Sequence, residues 1–269
     1  MDLVVNIISV ATATTAAEFV TLPICTTITN YQNSKDISWL NTINRIYRTR
    51  RLMGFFSATS PAVIGQVFST TTKYALYRHF EDNTSIPMIV PFHKIFSGLL
   101  SGVSSSIFTH PLDVVKTQKQ MGANIRWQMD HVELLWAHDS PFRDYGQPLR
   151  EKLPYTQFLY RGYSKTFTKI AVSSACFFPL YDTVKEYIHD PFISAGTSAI
   201  ISTTVMQPFD YMKRRHMGNV EWFHGLNPLK YFKGLSINLI RIVPHFTIVM
   251  TCTEYMRSTL TNGNSTRRS

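Results

Sequence analysis

The chain of 269 residues is short of negative charge: 17 acidic residues stand against 27 basic ones, a formal net charge of +10. Charge of either sign is also scarce, at 16% of residues against about 25% in ordinary soluble proteins. That excludes the charge-rich, apolar-poor composition of a disordered chain. Cysteine is nearly absent. Cys25, Cys176 and Cys252 lie far apart, so no CxxC pair exists for zinc or redox chemistry, and an odd count argues against a secreted disulfide framework. The histidines lack HExxH spacing, and neither a GxSxG nucleophile elbow nor a GxxxxGK phosphate loop occurs. We therefore expect no enzyme, no metal site and no cofactor. No cleavable presequence is expected, since Asp2 and an apolar run follow Met1 directly.

What the chain has is long stretches without charge. No Asp, Glu, Lys or Arg occurs from Leu52 to Thr72, from Ile95 to Leu112, or from Pro191 to Phe209. Leu3 to Ser34 is broken only by Glu18, while Ile170–Tyr181 and Ile242–Thr253 each follow a single basic residue. A helix needs about 20 mostly apolar residues to cross a bilayer. These six segments approach that length but are rich in Ser, Thr and Gly. Each would have a polar face, which a membrane tolerates only where it lines a cavity or packs on protein. The surplus of cations calls for nucleic acid, an anionic membrane or small anions. A nucleic-acid binder would display its cations with aromatics on one exposed face. Here they fall between apolar helices, as in Arg45, Arg48, Arg50 and Arg51, so no nucleic acid is expected.

A repeat runs through the chain. Pro111-Leu112-Asp113-Val114-Val115-Lys116 closes one low-charge segment, and Pro208-Phe209-Asp210-Tyr211-Met212-Lys213 closes another about a hundred residues later. Pro23 closes the first. Gln32 and Gln120 each lie nine residues beyond their proline. Small residues at Gly98 and Gly102, then Ala195 and Ala199, have the spacing that lets membrane helices approach closely. The next apolar segments start with Tyr160-Arg161-Gly162 and Phe232-Lys233-Gly234, where the first repeat has Phe56-Ser57-Ala58.

The pattern P-x-D/E-x-x-K/R at hundred-residue intervals resembles the mitochondrial carrier family over essentially the whole chain. Its low alanine and glycine content makes it similar to carriers encoded by giant viruses. The resemblance implies an all-α membrane protein: six transmembrane helices in three pseudo-threefold repeats, with short matrix-side helices. The repeats would cover residues 1–87 (degenerate), 88–190 and 191–269 (with a shortened matrix loop). It further implies a multi-pass monomer of the mitochondrial inner membrane, both termini on the intermembrane-space side.

Family motifs then assign roles. At the matrix gate, helices kinked at Pro23, Pro111 and Pro208 converge, and the charges beyond each proline pair around a ring. Cys25 and Ile28 stand where the first repeat should carry charge. Only Asp113 with Lys213 is then expected to pair, Lys116 and Asp210 lose their partners, and Gln32 and Gln120 act as braces with Met217 replacing a third. The cytosolic gate is matched by Tyr181, Asp182 and Lys185 and, less fully, by Glu254 and Arg257. Asp182 with Arg257 is its one expected pair, since Arg78 and Glu81 have their signs reversed. Substrate contacts fall at Gly65 and Gln66, at Lys169 and Ile170, and at Arg241. Glu18 is expected to pair with Lys169 or Arg241 in the empty cavity. Lys213 with Arg214 and Arg215 resembles the basic run of ADP/ATP carriers and would steer phosphates. Arg161, Gly162, Lys233 and Gly234 would hold cardiolipin. The expected substrate is an adenine nucleotide, ribo- or deoxy-, with a small phosphorylated or carboxylate anion as the alternative and a carrier fold that no longer transports as a third. One pair per gate also implies less dependence on bound substrate for shuttling.

Overall fold

The structure is a computed structural model; it describes residues 2–34, 38–83, 90–136, 150–173, 184, 191–245, 247–249 and 252. Helices dominate. In chain order they are α1 (Asp2–Asn33), α2 (Trp39–Arg50), α3 (Thr59–Asn83), α4 (Val90–Met121), α5 (Tyr155–Leu159), α6 (163–173), α7 (Pro191–Met217), α8 (Pro228–Tyr231) and α9 (235–245). Among the described residues two stretches, Ile8–Asn33 and Leu52–Thr72, are long and apolar enough to cross a membrane. The long helices α4 and α7 carry many hydroxyl side chains, such as Ser101, Ser105 and Ser106 on α4 and Ser198 and Thr204 on α7.

Proline sits inside α1, α4 and α7, at Pro23, Pro111 and Pro208. Each removes a backbone donor and leaves the carbonyl one turn back without its helical partner. At Pro111 that carbonyl belongs to Ile107, and the Tyr160 hydroxyl donates to it at 3.2 Å. Next to the same kink, His110 is buried between α4 and α6, bonded to the Arg161 carbonyl and to the Thr166 hydroxyl, both at 3.1 Å. Small residues set the helix contacts. A side chain at Gly102 would collide with Ile170 of α6, and one at Gly65 would press on Leu112 of α4.

The all-α expectation is corrected by an antiparallel sheet between α4 and α5. Strands β1 (Asn124–Trp127), β2 (Val132–Leu135) and β3 (Arg150–Leu153) lie in that order, with Trp127 opposite Val132 and Val132 opposite Leu153. The alternation Ile125/Trp127, then Val132/Leu134, has the two-residue period of a strand. It is hard to see in four-residue strands beside helices of 25 to 32 residues. Val132, Leu134 and Leu153 pack with Val114 of α4, Phe158 of α5 and Met217 of α7 into a buried apolar cluster. Trp127 stacks on Tyr155.

The short elements differ between repeats. In the first, α2 is capped by Ser38, whose hydroxyl accepts from the Asn41 amide, and Arg50 at its end donates to the Met121 carbonyl at 2.8 Å. In the second, the sheet stands where a matrix helix is expected. In the third, residues 218–227 run without helix into the four-residue α8, which is capped by Asn227. The helix starts after these elements demand glycine: Gly162 and Gly234 have φ of 79° and 88°, a region closed to most side chains. Ala58, their first-repeat counterpart, is not among the described positive-φ residues; there the left-handed residue is Arg51, at φ 56°.

Candidate functional site

Where α1, α4, α6, α7 and α9 meet, a cavity of about 190 Å³ opens. Its lining carries five cations, Lys116, Lys169, Lys213, Arg214 and Arg241, against three carboxylates, Glu18, Asp113 and Asp210. Gln120, Thr29, Thr117 and Cys25 complete much of the polar wall, and among the described residues no aromatic side chain lines it.

The three carboxylates each take a lysine. Asp113 accepts from Lys213 at 2.8 Å, the pair expected from the motifs. The expectation that Lys116 and Asp210 stand alone is overturned. Lys116 pairs with Glu18, and Asp210 pairs with Lys169 at 2.5 Å. The role expected of Glu18 changes with this, since its partner is Lys116 and not Lys169 or Arg241. The physical reason is reach. Glu18 lies seven residues before Cys25, about 10 Å further along α1, and the Lys116 and Glu18 side chains extend toward each other and meet in the cavity wall. Two positions that lost their charges in the first repeat are thus served from elsewhere: one from higher on the same helix, one from α6.

Hydrogen bonds join α1, α4 and α7 alongside these ion pairs. Gln32 of α1 accepts from Arg214 at 3.0 Å through its side chain and from Arg215 at 2.7 Å through its backbone carbonyl, and its amide donates to the Lys233 carbonyl at 3.0 Å. Gln120 accepts from the Thr29 hydroxyl at 2.8 Å, while Asn30 donates to its carbonyl at 2.9 Å. Met217 receives the Thr117 hydroxyl at 3.7 Å, and Gln118 donates to its carbonyl. Asn30, Thr29 and Gln118 were not singled out in the sequence. Short polar side chains in an apolar helix were its only signal.

Several assigned residues sit differently from expectation. Arg215 is buried, donating to the Glu221 and Gln32 carbonyls, so it ties the end of α7 together and is not available to steer phosphate. Lys169 is a paired cation, not a free one. Gly65 and Ile170 belong to helix contacts, and Gln66 donates to Thr70 along its own helix at 3.3 Å; none of the three lines the cavity. Arg161 pairs with Glu151 at 2.8 Å, and Lys233 reaches the Ser34 carbonyl at 2.5 Å across the face of Tyr31, so both proposed lipid cations are bonded within the protein. Tyr181, Asp182, Lys185, Glu254 and Arg257 lie outside the described residues, as do the side chains of Arg78 and Glu81.

Two cavity cations remain without a carboxylate among the described residues. Arg241 donates to Asn238 at 3.2 Å, and Arg214 to Gln32. Proline-kinked helices converging on a charged, accessible cavity are the build of a membrane transporter. The chain belongs to the mitochondrial carrier family: the family model described as mitochondrial carrier protein matches residues 1–85 and 89–192. It is 41% identical over 251 residues to a mitochondrial carrier-like protein of Acanthamoeba polyphaga mimivirus, covering 93% of this chain and 95% of that one. It is 24% identical to the mitochondrial dicarboxylate carrier of Caenorhabditis elegans, over 79% of each chain. To mitochondrial substrate carrier family protein W of Dictyostelium discoideum it is 21% identical, over 91% of this chain and 82% of the relative. Members of the family are transporters and not enzymes. Membership implies a six-helix, multi-pass protein of the mitochondrial inner membrane that moves small solutes.

Proposed function

We propose that the chain carries an adenine nucleotide, ribo- or deoxy-, across the inner membrane by alternating access, as a monomer with both termini in the intermembrane space. The observation that carries this reading is the pair of cavity cations, Arg241 and Arg214, that take no carboxylate among the described residues. A charge held at membrane depth costs about 2.5–3.5 kcal/mol even on mild scales and marks function by default. Two guanidinium groups suit a phosphate chain, since each offers several donors in a fixed plane. The cavity is of a size for the phosphates, and the base would extend beyond it. Lys213, three residues past Asp210 and paired with Asp113, lines the same end of the cavity. The likeness to a viral carrier supports deoxynucleotides as cargo, because a virus that copies DNA consumes them.

A second reading has its own observations. The cavity is smaller than the ~300–1,000 Å³ of most ligand sites, no aromatic side chain lines it among the described residues, and Ile170 packs on Gly102. Those features favour a small phosphorylated or carboxylate anion. Uptake of labelled ADP into liposomes, competed by dATP, phosphate, malate and citrate, decides between them. Competition by dATP alone supports the nucleotide; equal competition by citrate or phosphate replaces it with the small anion.

We also propose that a cardiolipin phosphate docks at the start of α6. An open pocket of about 710 Å³ there is lined by Tyr160, Gly162, Ser164, His216 and Asn219, and free backbone donors at a helix start attract phosphate. The matching site before α9 would use the turn at Gly234. Native mass spectrometry in which no cardiolipin is retained would remove this proposal.

A further inference from the structure

Of the three ion pairs, one joins two functions. Asp113 with Lys213 links the ends of α4 and α7, and Glu18 with Lys116 links α1 with α4. Lys169 comes from α6, from the position where the family motifs place a substrate contact, yet its partner Asp210 lies two residues beyond the Pro208 kink of α7. Both line the cavity with Arg241 and Arg214. Their side chains are largely withdrawn from solvent, at 31% and 14% exposure, so water does little to weaken the pair. One ammonium therefore faces two kinds of anion: the fixed carboxylate of α7 and whatever enters the cavity.

We propose that Lys169 is a latch shared between the gate and the cargo. In the empty carrier it holds Asp210 and ties the matrix end of α7 to α6. A multiply charged anion bound at Arg241 and Arg214 competes for the same ammonium, takes it from Asp210 and frees α7 to move. Ile28, which stands where the first repeat should supply a partner for Asp210, is fully buried and uncharged. No cation of α1 among the described residues can replace Lys169, so the release is not compensated from that side. The carrier that lost its first-repeat charge thereby gains a gate that reads the cargo directly. This rests on the reading of the cavity as an anion site, but not on the anion being a nucleotide. A ligand can shift a conformational equilibrium only by its differential affinity for the two states; competition for one lysine provides that difference.

The test uses the purified full chain and two probes, pyrophosphate and ADP, in calorimetric titrations. Asp210→Asn removes the competitor, so pyrophosphate should bind about tenfold more tightly than to the unaltered protein, the ratio expected for one charged contact made available. The gain should vanish in Lys169→Gln/Asp210→Asn, and Asp113→Asn, which adds the same net charge to the cavity, should gain much less. Equal gains in all three variants, or none in Asp210→Asn, overturn the latch. Should Asp210→Asn not fold, Lys169→Gln reads the same device from the other side. It must both weaken pyrophosphate binding and raise the leak of preloaded pyrophosphate from liposomes that lack a counter-anion. Weaker binding with an unchanged leak also overturns it. The ADP arm is separate: ADP no tighter than pyrophosphate on the unaltered protein defeats the nucleotide reading and leaves the latch standing.

Discussion

The first repeat and the other two meet at one cavity and contribute to it in opposite ways. The second and third supply lysine and aspartate from the motif positions, Asp113 and Lys116, Asp210 and Lys213. The first offers Cys25 and Ile28 at those positions and sends Glu18 from higher on α1. The difference teaches that what a low-dielectric cavity requires is a partner for each buried charge, not a partner at a fixed sequence position. Charge lost from one turn of helix can be made good from two turns away when the opposing side chain is as long as lysine. The same comparison holds for the tie between α1 and α7: a guanidinium bonded to Gln32 stands where an ion pair would close the ring.

The sharpest way to break the comparison is to remove its unusual member. Glu18→Ala leaves Lys116 charged and unpaired in the cavity wall, a loss of about 3–5 kcal/mol for a buried pair, read as a lower midpoint in denaturant. Adding Cys25→Asp to Glu18→Ala returns the acid to the family's position and should recover much of that loss, because Cys25 lines the same cavity. Failure of the second change to rescue would mean that Glu18 contributes through packing and not through charge.

Arg241→Ala tests the cavity cation supplied by α9. It should keep the protein folded and abolish uptake, since losing one charged contact worth ~1.5–3 kcal/mol weakens binding roughly ten- to a hundredfold. An active, folded Arg241→Ala protein removes the anion assignment. Liposome uptake beside a melting curve separates the two effects.

Adjacent arginines sharpen the comparison further. Arg215→Ala should lower the melting midpoint and leave substrate affinity in the surviving protein nearly unchanged, because its donors serve the Glu221 and Gln32 carbonyls. Arg214→Ala should do the reverse, raising the substrate concentration for half-saturation with a smaller loss of stability. Matching effects from the two would show that the Gln32 tie, and not the cavity, is what both serve.

The smallest effect belongs to the third-repeat loop. Burial, with Arg215 and Lys230 nearby, holds the His224 imidazole below its usual range. The unfolded chain then binds the proton more readily than the folded one, so this group's contribution to stability is present above the ordinary imidazole range and lost as pH falls through it. His224→Gln should make the melting midpoint less sensitive to mild acid. Its Tyr211 contact, at 3.0 Å, is kept by a glutamine only in part, so a small uniform drop accompanies the change.

The sequence alone determined the things that depend on local chemistry. Prolines in apolar segments had to kink helices, glycines after a basic residue had to take the left-handed turn, and repeated charges beyond the prolines named the family and one ion pair, Asp113 with Lys213. It carried the strands at 124–127 and 132–135 too, as a two-residue alternation, but that signal is short and lies beside far stronger helical ones. Only the tertiary structure decided which charge meets which. Glu18 and Lys116 are 98 residues apart, Lys169 and Asp210 belong to different repeats, and Arg214 and Arg215 are neighbours with opposite fates. Pairing depends on where helices cross and how far a side chain reaches across the gap. Neither quantity is written in any one segment, because each is fixed by the packing of several segments against one another.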